Sequence, residues 1–204
     1  MGIKVIEYNE VQVTATPAAR ELPDISGLVE KAAAGDLEAF SEIYEVCLNP
    51  IYRYVLYHVR DMMTAEDVTE DVFIKAWKAI ESCKGRGRTF MPWLYRIAHN
   101  HTINVLKKTQ KSVSLETETL VEADGPEKQV AARFSRETLL DATGRLPPNQ
   151  KQVIILKFIE GLDNREIGEV MNKKEGAVRV LQMRALSRLR QQLGRTESEY
   201  AGWL

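Results

Sequence analysis

Between Lys84 and Lys111 the chain carries seven Lys or Arg residues and no Asp or Glu. Phe90, Trp93, Tyr95, His99, Asn100, His101 and Asn104 lie among them. This is equipment for non-covalent chemistry: cations meet phosphates, amides read base edges and rings stack on unpaired bases. A solvated basic helix beside an aromatic core uses the same residue types, so the segment takes its meaning from its surroundings. The other cluster with chemical potential is Glu66, Asp67, Glu70 and Asp71. Paired carboxylates suit metal or acid–base work, but no histidine ligand or nucleophile stands near them. Early acidic residues also complement a helix dipole without any further role. The functional reading they support is a docking face for a basic protein partner. His99 and His101 are two apart on a helical pattern, so their rings point different ways and cannot share one ion. No catalytic residue, metal site or cofactor is expected, and the chain does not read as an enzyme.

Helices must position these groups. Trp93, Leu94, Ile97, Ala98, Ile103 and Leu106 recur mostly at spacings of three and four, which predicts an amphipathic helix. Its other face offers Tyr95, Arg96, Asn100, Asn104, Lys107 and Lys108. Lys84 and Gly85-Arg86-Gly87-Arg88 in front make a cationic loop too glycine-rich to be helix. Trp93 and Phe90, taken singly, read as core. Upstream, Leu28, Val29 and Ala32 form a short face ended by Gly35. Asp36 can cap a second helix carrying Leu37, Phe40, Ile43, Tyr44 and Cys47. Pro50 is read as punctuation before a third, with Ile51, Tyr54, Val55, His58 and Val59; His58 reads as a core histidine. Thr64 is read as the cap of the acidic helix, which buries Val68, Val72, Phe73, Ala76, Trp77 and Ile80.

The net charge is −1, so the chain is no polycation, but its charge is segregated. Residues 112–127 carry Glu116, Glu118, Glu122, Asp124 and Glu127 with no basic residue, and 173–195 are basic again with only Glu175 opposing. Two cysteines without a CxxC pair argue against a disulfide scaffold or zinc site and suit a reducing cytoplasm. With no membrane-length apolar run and no signal peptide, cytoplasmic location without membrane insertion is expected. The reading is all-α: an N-terminal extension (1–25), a helical domain (26–111), an acidic linker (112–127), a second helical domain (128–194) and a tail (195–204).

In the second domain Leu146-Pro147-Pro148 fixes a turn and starts a helix, because proline suits the first helical position. Gly161 stops it. Asp163 with Glu166 three residues later is a capping-box start for a helix burying Ile167, Val170 and Met171. Asn172 can take the left-handed conformation that ends it. A last helix then buries Val178, Leu181, Ala185 and Leu189. Two short helices, a turn and a longer cationic helix make a helix-turn-helix whose recognition helix enters the major groove. Its leading end and outer face hold Lys174, Glu175, Arg179, Gln182 and Met183. Arg179 and Gln182 suit base edges; Lys173, Lys174, Arg184 and Arg188 suit phosphates.

Together the two halves resemble a known family. Leu146-Pro147-Pro148-Asn149-Gln150, Glu160-Gly161-Leu162, Arg165-Glu166-Ile167 and Gly176-Ala177-Val178-Arg179 resemble the promoter −35-reading domain of bacterial RNA polymerase sigma factors. Gly35-Asp36, Ala39-Phe40, Ala65-Glu66-Asp67-Val68, Phe73-Ile74-Lys75-Ala76-Trp77, Pro92-Trp93-Leu94 and Arg96-Ile97-Ala98-His99-Asn100 resemble the −10-reading domain. The short linker is similar to that of the extracytoplasmic-function (ECF) group.

The resemblance implies promoter DNA, core RNA polymerase and an anti-sigma factor as partners. Glu66, Asp67, Glu70, Asp71, Lys75 and Trp77 would meet the β′ clamp helices, and residues 146–162 the β flap. Lys84, Arg86, Arg88, Trp93, Tyr95, Arg96, Asn100, Asn104, Lys107 and Lys108 would open the −10 duplex and hold an extruded base. The acidic linker would thread a positively lined polymerase channel. Three positions depart from the family pattern: Met91 for a basic residue, Asn104 for Asp, and Lys174 for a capping Ser. These touch promoter sequence more than role. The competing reading is a stand-alone helix-turn-helix regulator, which would need a self-complementary dimer surface.

Overall fold

The computed structural model describes residues 24–85, 87–112 and 142–201, and among these every regular element is helical. Helix α1 (Ser26–Ala33) buries Val29, Ala32 and Ala33 and ends at Gly35, whose φ of +97° needs a residue without a Cβ. Asp36 caps α2 (Leu37–Val59), accepting from the Glu38 and Ala39 amides.

Pro50 does not divide α2, contrary to the sequence expectation. An internal proline costs about 3 kcal/mol or more. Phe40, Ile43, Cys47, Ile51, Tyr54 and Val55 nevertheless form one continuous buried face across it. At ~1.5–3 kcal/mol for each large apolar side chain, that face outweighs the cost of the proline. The cap of α3 (Met62–Ala79) is also corrected: it is Asp61, whose Oδ2 accepts the Thr64 amide at 2.7 Å, and Thr64 lies inside the first turn. The buried side of α3 is Ala65, Val68, Val72, Phe73 and Ala76. A 3₁₀ turn (Ile80–Cys83), a bend at Gly85 (φ +73°) and a second 3₁₀ turn (Gly87–Thr89) lead into α4 (Phe90–Ser112).

Cys47 and Cys83 are buried thiols that form no disulfide, and burial pushes the Cys47 thiol up to about 12, so it is chemically quiet. His58 is buried with Nδ1 2.8 Å from the Tyr54 carbonyl, and loss of solvation pushes its pKa down to about 3. Because the folded value lies below the unfolded one, the unfolded chain holds the extra proton between those values. Stability from this site is therefore complete above pH ~6.5 and is lost on acidification. Urea unfolding at pH 5.5 should show about 1.4 kcal/mol less stability from His58 than at pH 7.5. His58→Gln should remove that part of the slope; an unchanged slope would refute it.

The second domain starts α5 (Pro148–Ile154) with proline at its first position, then loosens into a π turn over Ile155–Ile159. The Glu160 amide bonds back to the Ile155 carbonyl at 3.0 Å, and Gly161 (φ +77°) turns the chain. A complete Asp163/Glu166 capping box opens α6 (Asn164–Met171), and Asn172 ends it at φ 52°. After a short turn, α7 runs Glu175–Ala201, its backbone continuing past the boundary expected at 194.

The two domains pack on each other: α4 lies against α6, and α2 meets the π turn. One apolar cluster runs from Ile43, Val55 and Leu94 into Val153, Leu156 and Ile167. Residues 1–23 of the expected extension, 113–127 of the expected acidic linker and 128–141 lie outside the described residues.

Candidate nucleic-acid interface

The loop ahead of α4 is anchored from below. Glu30 of α1 accepts the Gly85 amide at 2.7 Å, and a Cβ on Gly87 would stand 2.6 Å from that of Ser26. The loop therefore passes α1 at a distance only glycine allows. Behind it opens a cavity of about 680 Å³, bordered by Gly85, Gly87, Thr89, Trp93, Arg96 and Glu169. Trp93 is half-buried with its ring 5.5 Å from that of Phe90, which is core as expected.

Along α4, Arg96, Asn100, Asn104, Lys107 and Lys108 are all exposed and follow a helical stripe leading away from the cavity. Lys84 is exposed beside the loop. Arg86 and the Arg88 side chain lie outside the described residues. Tyr95 is a correction: it is 1% exposed and not on the polar stripe. The buried face of α4 is Leu94, Tyr95, Ala98 and Thr102, because α2 and the second domain press on that side; the Tyr95 hydroxyl donates to Glu160 at 2.8 Å.

The histidines take separate partners. His99 Nδ1 lies 3.1 Å from the Tyr54 hydroxyl, and its pKa is lowered by burial. His101 reaches Asp71 on α3 at 2.8 Å, and Lys75 stands 3.7 Å from the same carboxylate. Asp71 thus ties α3 to α4, while Asp67, Glu70 and Lys75 are exposed and Glu66 is half-covered. Trp77 is half-buried, its ring 4.9 Å from that of Phe40. Ile74, 51% exposed, adds an apolar spot to this face. Among the described residues no group of His, Cys, Asp and Glu is arranged to hold a metal ion, and no helix is long and apolar enough to cross a membrane.

The second surface is the helix-turn-helix. Glu175, Arg179, Met183, Arg184 and Arg188 are exposed on α7, Lys174 is exposed just ahead of it, and Lys173 is half-buried in the turn. Arg179 pairs with Glu175 one turn earlier. Gln182 differs from its expected open position: it is half-buried, and Nε2 donates to Asn164 Oδ1 on α6 at 2.8 Å. The turn depends on Gly168, where a Cβ would lie 2.6 Å from the Lys173 carbonyl oxygen. Sequence reading does not single out Glu30, Gly168, Glu169 or Arg53, and it meets Glu160 only as part of the Glu160-Gly161-Leu162 motif. Their partners are remote in sequence or lie across a turn, so no local pattern marks them.

Comparison with known proteins places both surfaces in recognised regions. Residues 43–112 match the family model Sigma-70 region 2, and residues 136–189 match Sigma-70, region 4. The chain is 37% identical over 166 residues to the ECF RNA polymerase sigma factor BldN of Streptomyces coelicolor, covering 79% of this chain and 63% of BldN. It is 32% identical over 177 residues to the ECF RNA polymerase sigma factor SigW of Bacillus subtilis, covering 81% and 94%. Among solved structures, CnrH in complex with the cytosolic domain of CnrY has a similar fold (TM-score 0.67, 22% identity, 84% of this chain and 98% of that one). So does RpoE in complex with the anti-sigma factor NepR from Bartonella quintana (TM-score 0.61, 19% identity, 78% and 98%).

Proposed function

The chain belongs to the ECF RNA polymerase sigma factors, and from that premise we propose that it binds core polymerase, reads the −35 and −10 promoter elements and opens the −10 duplex. The observation that carries the melting role is the cavity at the head of α4, with Trp93 at its edge and the Arg96–Lys108 stripe leading from it. Unstacking a base costs a few kcal/mol, and a pocket with backbone cations beside it offsets that cost. Trp93 offers a ring, Asn100 and Asn104 offer amides, and Lys84, Arg96, Lys107 and Lys108 offer charge to phosphate.

On α7, Arg179 and Met183 would read base edges, with Gln182 held by Asn164 as a positioning residue. Lys173, Lys174, Arg184 and Arg188 would meet phosphates. Asp67, Glu70 and Ile74 on α3 would meet the β′ clamp helices, and Phe158, 45% exposed, the β flap. An anti-sigma factor is a further partner, supported by the similar folds of CnrH and RpoE in their complexes. The chain works in the cytoplasm with polymerase, which makes the bonds. The deciding experiment is run-off transcription by core polymerase, with and without this chain, on the DNA upstream of its own gene and on a random promoter library. A discrete start that requires the chain is expected. No start on either template, together with no binding to core polymerase, would refute the proposal.

A further inference from the structure

We propose that α7, in the −35-reading role on which this inference rests, recognises thymine methyl groups through Val180 and Met183. The two side chains are 42% and 65% exposed. The core does not need them: Val178 and Ala185 are buried on the opposite side of the helix, with Leu181 and Leu189 half-buried beside them. Three positions apart on a helix, Val180 and Met183 adjoin and form one apolar strip. At about 100° per residue, Arg179 and Arg190 run along one edge of that strip and Arg184 and Arg188 along the other. All four arginines are exposed. Two rows of cations with an apolar strip between them match a duplex groove, whose two walls are phosphate and whose floor is the edges of the bases.

The chemistry of the groove floor then selects the base. In the major groove the thymine C5-methyl is the apolar feature, and the other groups that distinguish base pairs are hydrogen-bond donors and acceptors. Valine and methionine set against a donor or acceptor would strip its water and return no bond. Against a methyl they gain by burial alone. The polar side chains near the strip are partly committed within the protein: Gln182 donates to Asn164 at 2.8 Å, and Arg179 pairs with Glu175. Gly176 supplies a separate observation. It lies on the same face one turn before Val180, its φ is not left-handed, and a Cβ there would meet nothing within 4 Å. Nothing inside the protein asks for glycine at that place, whereas a missing side chain lets the leading end of α7 come close to a groove floor.

The test uses core polymerase carrying the full chain, on a duplex promoter recovered from the random library. A chain without sigma activity yields no such promoter, so failure of the −35-reading role shows before the methyl question is asked. Each thymine of the −35 element, on either strand, is replaced in turn by uracil. The exchange deletes the methyl and keeps every hydrogen-bonding group. Binding, read by fluorescence anisotropy, should weaken roughly fourfold for each contacted methyl (about 0.8 kcal/mol). Val180→Ala and Met183→Ala should each bring the thymine-to-uracil ratio at one position close to one, with little change on the uracil promoter itself. Met183→Leu, which keeps an apolar contact, should retain the ratio. A variant that had merely lost its fold would weaken on both promoters alike, and circular dichroism of each variant identifies it. A recovered −35 element without thymine, or uracil promoters bound as well as thymine ones, would overturn the proposal and leave the strip to a protein partner. Ratios unchanged in folded Val180→Ala and Met183→Ala chains would overturn the assignment of these two side chains.

Discussion

Replacing Gly168 with valine should lower transcription from promoters that depend on a −35 element by about 100-fold or more. The residue sits in α6 where the helix-turn-helix folds back, and its missing side chain faces the Lys173 carbonyl. Even an alanine Cβ would stand 2.6 Å from that oxygen. The Lys173 amide also bonds to the Gly168 carbonyl at 2.9 Å, so the turn has little room to yield. Overpacking of this kind costs ~1–3 kcal/mol, and relieving it shifts the start of α7. Arg179 would then lose its aim. A bidentate base contact carries ~1–3 kcal/mol of discrimination; that one loss added to the overpacking comes to about 3 kcal/mol or more, which at about 1.4 kcal/mol per tenfold gives the stated factor. Templates with a pre-opened −10 region and no −35 element should lose far less, and Gly168→Ala should fall between. Full −35-dependent activity with valine at 168 would show that the turn is not held as described.

The second large effect is expected from Trp93→Ala combined with Asn100→Ala. On duplex promoters, run-off product should fall roughly 100-fold, since a base–aromatic stack is worth ~1–3 kcal/mol and an amide contact ~0.5–1.5. On a template whose −10 region is already unpaired, opening no longer limits the yield, and the defect should narrow to about tenfold or less. Thermal unfolding of the variant checks the fold, because Trp93 also packs on Phe90. Equal defects on both templates would move the role of this surface from opening DNA to some other step.

Much of the fold was legible because it is written in short-range chemistry. The capping box at Asp163 and Glu166, the left-handed Asn172, Pro148 at the first position of α5 and the turns at Gly35 and Gly161 each act within a few residues. The helix-turn-helix follows from them. The two sequence regions then specify the family, since both motif sets occur in order on one chain. Where sequence and structure part, the reasons differ. Local propensity opposes Pro50 inside a helix, yet a buried face spanning 40 to 55 decides otherwise. The acidic residues after Thr64 favour it as a cap, whereas Asp61 is the side chain that accepts the Thr64 amide.

By itself the sequence determined an all-helical fold class, a cationic surface on α4, an acidic one on α3 and a helix-turn-helix that ends in α7. Periodicity, caps and charge runs are local quantities, and a linear string carries them whole. Only the tertiary structure decided that Tyr95 is buried, that Gly87 and Gly168 mark close approaches, and that Arg53 and Tyr95 close on Glu160 from 107 and 65 residues away. A carboxylate in a loop and an arginine on a helix look solvated in sequence. Their burial depends on which surfaces meet, and that depends on the packing of the whole chain.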